Sequence, residues 1–446
     1  MDTNYKRAEA LKFLCLGLSY VFSFAYVNIF FIARSTSMLG ITIYITFLSL
    51  GAVLWLELTM MQQRLKGVQK TGSLQKIEPR FWEVILVLLC LNTYFGQTVI
   101  LTFFLIHLVV IYMVLTGTSH LLSDRSSCLM PLDLFNGMVV MPLRNCLARL
   151  WSVTETIDHK NAAVESAVSP STNSDTETQA PATKRFSVGK CFGILGVLLL
   201  IFLIFDIALS TLARVDARFE RVLNSIDDLL SSISIPLQFF KFILSVPVGI
   251  YLFALFQGGV RTDTSVEKNF HNELVDKSKK CRIMPTVLLS IVLVVFILVY
   301  LAFYVSQAAY MFSGFAGVLP AQFTASEYAV QGFYELIEVV IINFVLLSVI
   351  RIFSAATRPI VTKLSVVLMA ESMIFAAISA SKIILYMSRF GYTESRTLGL
   401  WGTIVVFAGA ALCIVNLLTK RRTFAPWLFF SASAYVVMNF IAYNYI

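Results

Sequence analysis

The chain has 446 residues, 58% hydrophobic and 14% charged, with 35 Lys and Arg against 26 Asp and Glu and a formal net charge of +9. A soluble domain carries roughly 25% charged residues, so this composition, at a mean hydropathy of +0.79, excludes a single soluble core. It fits an all-α, polytopic integral membrane protein, and topology plus contact with anionic lipid explains the positive balance without nucleic acid.

Apolar blocks run over 13–32, 38–60, 82–95, 97–117, 190–213, 236–256, 284–311, 328–350, 364–387, 397–418 and 424–444, which predicts about eleven transmembrane helices. The first follows Lys6, Arg7 and Lys12 and is too long for a typical signal-peptide h-region, so it reads as a span. The third is short, which fits a tilted or re-entrant piece as well as a crossing. Glu57 falls at the inner end of the second block and reads as interfacial. His107 stands alone in the fourth and reads as a packed histidine.

Residues 1–118 thus make an N-terminal membrane module of about four spans. Residues 119–151 mix apolar and basic side chains, which suits an amphipathic cytoplasmic element or a re-entrant hairpin. The run 152–189 is rich in Ser, Thr, Ala, Asp and Glu and reads as a disordered cytoplasmic linker. Residues 190–446 make a C-terminal module of about seven spans. Asp206 lies deep in the first of these and needs a partner, and Lys241 in the next is the obvious one. Between them, Leu223, Ile226, Leu229 and Leu230 form an apolar stripe that predicts an interfacial helix.

Basic residues orient the chain. With the N-terminus inside and eleven crossings, only Arg34, Arg214, Arg218, Arg221, Arg389 and Arg396 fall in outside loops, and Lys241 and Lys382 inside spans. The asymmetry favours N-in and C-out. The histidines (His107, His120, His159, His271) form no ligand-spaced cluster with the cysteines, so neither a metal site nor a cofactor is expected. The bilayer is the one partner that composition names.

Ionisable groups at membrane depth are expensive and mark candidate sites. Glu335 and Glu338 are three apart and share a helix face with Tyr328 and Asn343; the stripe either faces the bundle interior or lies near the outer end, hydrated or bonded to a neighbouring helix. Glu371 and Lys382 are eleven apart and return to one face together with Ser379. Lys382 could snorkel to the nearby boundary or pair with Glu335 or Glu338 on the adjacent helix. An outer-face cluster of Glu327, Tyr328, Tyr386, Arg389, Tyr392 and Arg396 is expected where two loops meet, and it suits a polar headgroup, a peptide or a partner protein.

Four blocks carry a family resemblance: VDARFE (Val215 to Glu220), QAAYMFSG (Gln307 to Gly314), SEYAVQGFYEL (Ser326 to Leu336) and KIILYMSRFGYTESR (Lys382 to Arg396). Their order and motifs resemble a family of bacterial polytopic membrane proteins known as domain of unknown function 4173 (4153-like). The chain departs from that pattern where Val330 and Gln331 replace an arginine after the Glu-Tyr-Ala triplet. The resemblance implies a bacterial cytoplasmic (inner) membrane location and assigns no activity.

Three functions fit: transport of a small or lipid-like substrate through a polar intramembrane site, a membrane-embedded signalling or interaction subunit, and an enzyme acting on lipid-linked substrates. Soluble-enzyme signatures such as a Walker A loop, H-E-x-x-H or G-x-S-x-G are absent, which leans against catalysis.

Overall fold

The computed structural model describes residues 3–32, 37–67, 77–95, 99–148, 237–261, 264–315, 325–355 and 358–444. The expected linker 152–189, the block 190–213 with Asp206 and the loop after it lie outside the described residues. So do the side chains of Glu327 and Tyr328.

The described elements are α1 (Thr3–Ile32), α2 (Met38–Leu65), α3 (Ile77–Phe95), α4 (Val99–Gly117), α5 (Met130–Phe135), α6 (Met141–Arg144), α7 (Leu237–Arg261), α8 (Ser265–Lys280), α9 (Thr286–Phe312), α10 (Ala325–Phe353), α11 (Pro359–Phe390), α12 (Glu394–Thr419) and α13 (Phe424–Asn444). Among the described residues, nine helices are long and apolar enough to cross a membrane: α1, α2, α4, α7 and α9 to α13. The third block is a helix that starts earlier than its apolar run, because Glu78, Arg80 and Glu83 occupy its first two turns. α8 is amphipathic and polar, carrying Lys277, Lys279 and Lys280 in its last turn.

Local signals set the ends. The Ser37 hydroxyl accepts from the Gly40 amide to open α2. Pro359 stands in the first turn of α11, where its missing N–H has no cost. That helix stops at Gly391, whose φ of +76° is strained for a residue with a side chain.

Two apolar cores form. One joins α1 to α4, α7 and α13, with Trp55, Leu86, Tyr112, Leu115, Phe253 and Phe256 at its centre. Trp55 stacks on Phe256 at 4.4 Å, and Trp82 meets Tyr112 edge-on at 5.3 Å. The other joins α9, α10 and α11 around Leu293, Val340, Leu368, Met369 and Phe375. Helices from both sides of residues 149–236 therefore share the first core. α7 packs on α1 and α2, and α13 packs on α3 and α12. Partner choice in lipid follows side-chain fit rather than hydropathy, so position along the chain does not reveal it.

Lys241 of α7 illustrates this. Its ammonium donates to Asn28 Oδ1 of α1 at 2.7 Å and lies 4.8 Å from the Phe31 ring centroid.

Contacts between helix ends sort them onto two faces. Gln63 donates to the Thr118 and Gly259 carbonyls, gathering the C-terminal ends of α2, α4 and α7. Arg351 at the end of α10 donates to Asn416 near the end of α12. Met284, just before α9, pairs with Ser354, just after α10. On the other face, Asn28 meets Lys241, and Thr42 meets Thr93 at 2.9 Å. The first face carries Arg64, Arg80, Arg144, Arg261, Arg282, Arg351, Arg358 and Lys420 to Arg422; at the second, Arg389 and Arg396 stand on the ends of α11 and α12.

Candidate functional site

α11 positions the candidate site. On its 3.6-residue period, Leu368, Glu371, Ser372, Phe375, Ser379 and Lys382 fall on buried faces. Glu371 and Lys382, eleven residues apart, are both inside the protein, 5% and 0% exposed.

The inner part of this face is a packed polar layer. Tyr300 of α9 donates to Asn343 Oδ1 of α10 at 2.7 Å, and Asn343 Nδ2 donates to Ser372 Oγ of α11 at 2.9 Å. Tyr304 donates to the Glu371 carbonyl at 3.2 Å. Tyr300, Phe303 and Tyr304 surround Phe375, the nearest ring centroid at 4.9 Å. Glu371 lies within electrostatic reach of Tyr300 and Tyr304. Its Oε2 is buried and has no hydrogen-bond partner among the described residues.

Glu335 and Glu338 follow the hydrated alternative rather than the interior one. The buried stripe of α10 is Leu336, Val340, Asn343, Leu347 and Ile350, and the two acids flank it on the exposed side. Asn343 faces the interior, and the carboxylates do not line it. α10 is apolar nearly all round, so its sequence carries little to orient it. Glu335 still acts electrostatically on the buried Lys382.

At the far end of α11 the outer-face cluster assembles in part. The Arg396 guanidinium lies 4.1 Å from the Tyr386 ring centroid and donates to the Phe390 and Gly391 carbonyls at 2.9 and 2.7 Å. Arg389 is exposed, and Tyr392 is half-buried. The same backbone reversal at Gly391 presents all four side chains.

Between these two ends runs a groove of about 550 Å³, formed by the turn after α9, the C-terminal half of α11 and α12. Small residues open it: Ala376, Ala377, Ala380 and Ser381 on α11, with Phe407 facing them from α12. Lys382 follows Ser381, and Ser388, beside Arg389, lines its far end.

A second polar cluster, not singled out by sequence, sits at the basic face. Glu78 accepts from the Ser126 amide at 3.2 Å and from its hydroxyl at 3.3 Å, and Tyr112 donates to Ser126 Oγ at 2.8 Å. Asp133, 0% exposed, accepts from the Leu122 amide at 2.8 Å. Burial pushes the Asp133 carboxyl up to about 6 and raises Glu78 as well, the latter opposed by its bonds to Ser126 and by Arg125. Glu78 and Ser126 are 48 residues apart on a helix start and a loop, so no spacing announces them. His107 is indeed a packed residue, bonded to Tyr26 at 2.8 Å and to the Phe103 carbonyl at 2.7 Å.

Nine long apolar helices among the described residues, with buried charges on α11, fit a multi-pass α-helical membrane protein. The chain belongs to the family described as Domain of unknown function (DUF4153), whose model matches residues 84–446. The match agrees with the 4153-like part of the resemblance, and it reaches well upstream of residue 190, into α3. No curated protein and no solved structure matches the chain.

Proposed function

We propose that the chain binds an anionic amphiphile, a lipid or lipid-linked molecule, in the groove between α11 and α12. The apolar groove itself carries this reading. From Ala376 to Ser388 it follows α11 for about 18 Å, roughly the depth of one leaflet of a ~30 Å hydrocarbon core. An acyl or prenyl chain fits such a lining. The headgroup would then lie beside Arg389 and Arg396, whose guanidinium forks suit phosphate; Glu394 is the acid of that turn.

The packed layer around Phe375 favours this over conduction of a small polar solute, because aromatic rings and a closed Tyr300–Asn343–Ser372 chain fill the interior at that depth. Transfer of the amphiphile and chemistry on its headgroup both remain compatible with the groove. The basic face would be cytoplasmic by the positive-inside rule, giving N-in and C-out and placing the headgroup end outside.

The test is lipid retention after purification in mild detergent. Ala380→Phe fills the groove, and we expect it to lower co-purifying lipid, counted by native mass spectrometry, while the melting temperature holds. Unchanged lipid in a folded Ala380→Phe variant would overturn the reading.

A further inference from the structure

The segment 129–144 turns its large apolar side chains outward and buries an acid. Its outward face is apolar, with Leu132, Phe135, Met138, Val140 and Leu143 exposed and Phe135 the most so at 58%. Its inward face buries Asp133 together with Gly137, Met141 and Pro142. Asp133 Oδ2 and Asn136 Nδ2 are buried atoms with no hydrogen-bond partner among the described residues. An element lying in water would show the opposite arrangement.

Its depth follows from its neighbours. α4 has 19 residues, so it is about 28 Å long, barely the ~30 Å of a hydrocarbon core, and its end at Gly117 marks the boundary. A Cβ on Gly137 would meet Ile111 and Leu115 of α4 at 2.7 and 2.8 Å. Ile111 stands about 9 Å inside that boundary by the helical rise. Tyr251, whose hydroxyl donates to the Met138 carbonyl, stands about 15 Å from the end of α7 on the same rise. The outer half of α4 shows Ile100 and Phe104 to the exterior, whereas every residue from Ile111 to Thr118 is buried. The segment therefore covers the inner half of α4 at a depth where lipid would otherwise touch it.

Its backbone agrees with this setting. The helix is broken by a π-turn over Asn136–Val140 between α5 and α6, and irregular backbone at membrane depth is tolerated where protein covers it. Gly137 and Gly258 provide the close approach. A Cβ on Gly258 would meet Asn145 and Met141 at 3.0 Å.

We infer that residues 129–144 form a half-inserted, non-spanning helix whose outer face contacts acyl chains of the basic-face leaflet. Leu132, Phe135, Met138, Val140 and Leu143 then continue the lipid-facing surface of α4. The exposed Arg144, next to Asn145 at the end of α7, sits at phosphate level.

Labelling in sealed vesicles reads this directly, with the native exposed Cys128 as an internal control. Phe135→Cys and, separately, Leu143→Cys are treated with a membrane-impermeant maleimide applied to the basic face. The expected result is labelling at least about tenfold slower than Cys128, because hydrocarbon disfavours the reactive thiolate, and equal labelling once SDS dissolves the membrane. Labelling of both positions as fast as Cys128 in intact vesicles would overturn the inference. A photo-crosslinking residue at 135 separates lipid from protein as the cause of slow labelling. Lipid adducts support the inference, and capture of polypeptide, whether another part of this chain or a second protein, overturns it.

Discussion

Asn343→Leu tests whether the polar layer binds three helices together. Asn343 is fully buried and joins Tyr300 of α9 to Ser372 of α11. Leucine nearly preserves the volume but removes both bonds. The Tyr300 hydroxyl is then left without the acceptor it has here, and such an orphan costs about 1–3 kcal/mol. Ser372 still donates to the Leu368 carbonyl at 2.9 Å, so its loss is near the ordinary value of about 1 kcal/mol. The sum is about 2–4 kcal/mol by soluble-protein measures. Interhelical bonds in lipid average about 0.6 kcal/mol each, which sets a floor near 1 kcal/mol for the two. Unfolding by SDS in mixed micelles measures the loss. Pairing the change with Tyr300→Phe completes a cycle, and removing both partners should restore about 1 kcal/mol relative to additivity. Strictly additive effects, or a single-variant loss below about 0.5 kcal/mol, would refute the account of this layer.

Other outcomes follow from the same geometry. Asp133 is held near 6 by burial, above its ordinary 3.8. The folded state therefore binds its proton more tightly, and this contribution is full below about pH 4 and lost as pH rises through 6, an amount of about 3 kcal/mol. Asp133→Asn should flatten the melting temperature between pH 5 and 7.5 relative to the parent, and an unchanged pH profile would contradict the burial argument. Gly259→Ala should destabilise by about 1–3 kcal/mol, because its Cβ would fall 2.4–2.7 Å from Thr118. Gly402→Ala, with nothing within 4 Å, should leave the melting temperature nearly unchanged, and equal losses at both positions would show that the contact is not the cause.

The helices were legible because each is an apolar run long enough for a bilayer, and the shared face of Glu371 and Lys382 followed from a spacing of three turns. Which face of α10 packs was not. Glu335 and Glu338 can look interior when read as charges in an apolar helix, yet Asn343, directly after a run of Val and Ile, is the side chain that turns inward. The attachment of α7 to α1 was hidden for a related reason: the Lys241–Asn28 contact joins residues 213 apart. The groove was invisible since it depends on Ala376, Ala377 and Ala380 facing Phe407 of another helix. Small residues announce close approach without naming what approaches.

The groove is the central claim, and crosslinking from inside it tests that claim most directly. A photo-crosslinking residue placed at Ile384, which lines the groove, is activated in native membranes and the adducts are identified by mass spectrometry. The account predicts phosphate-bearing lipid or lipid-linked adducts that decline when Arg389 and Arg396 are both changed to Ala. Adducts confined to polypeptide, including residues 149–236 of this chain, would contradict it.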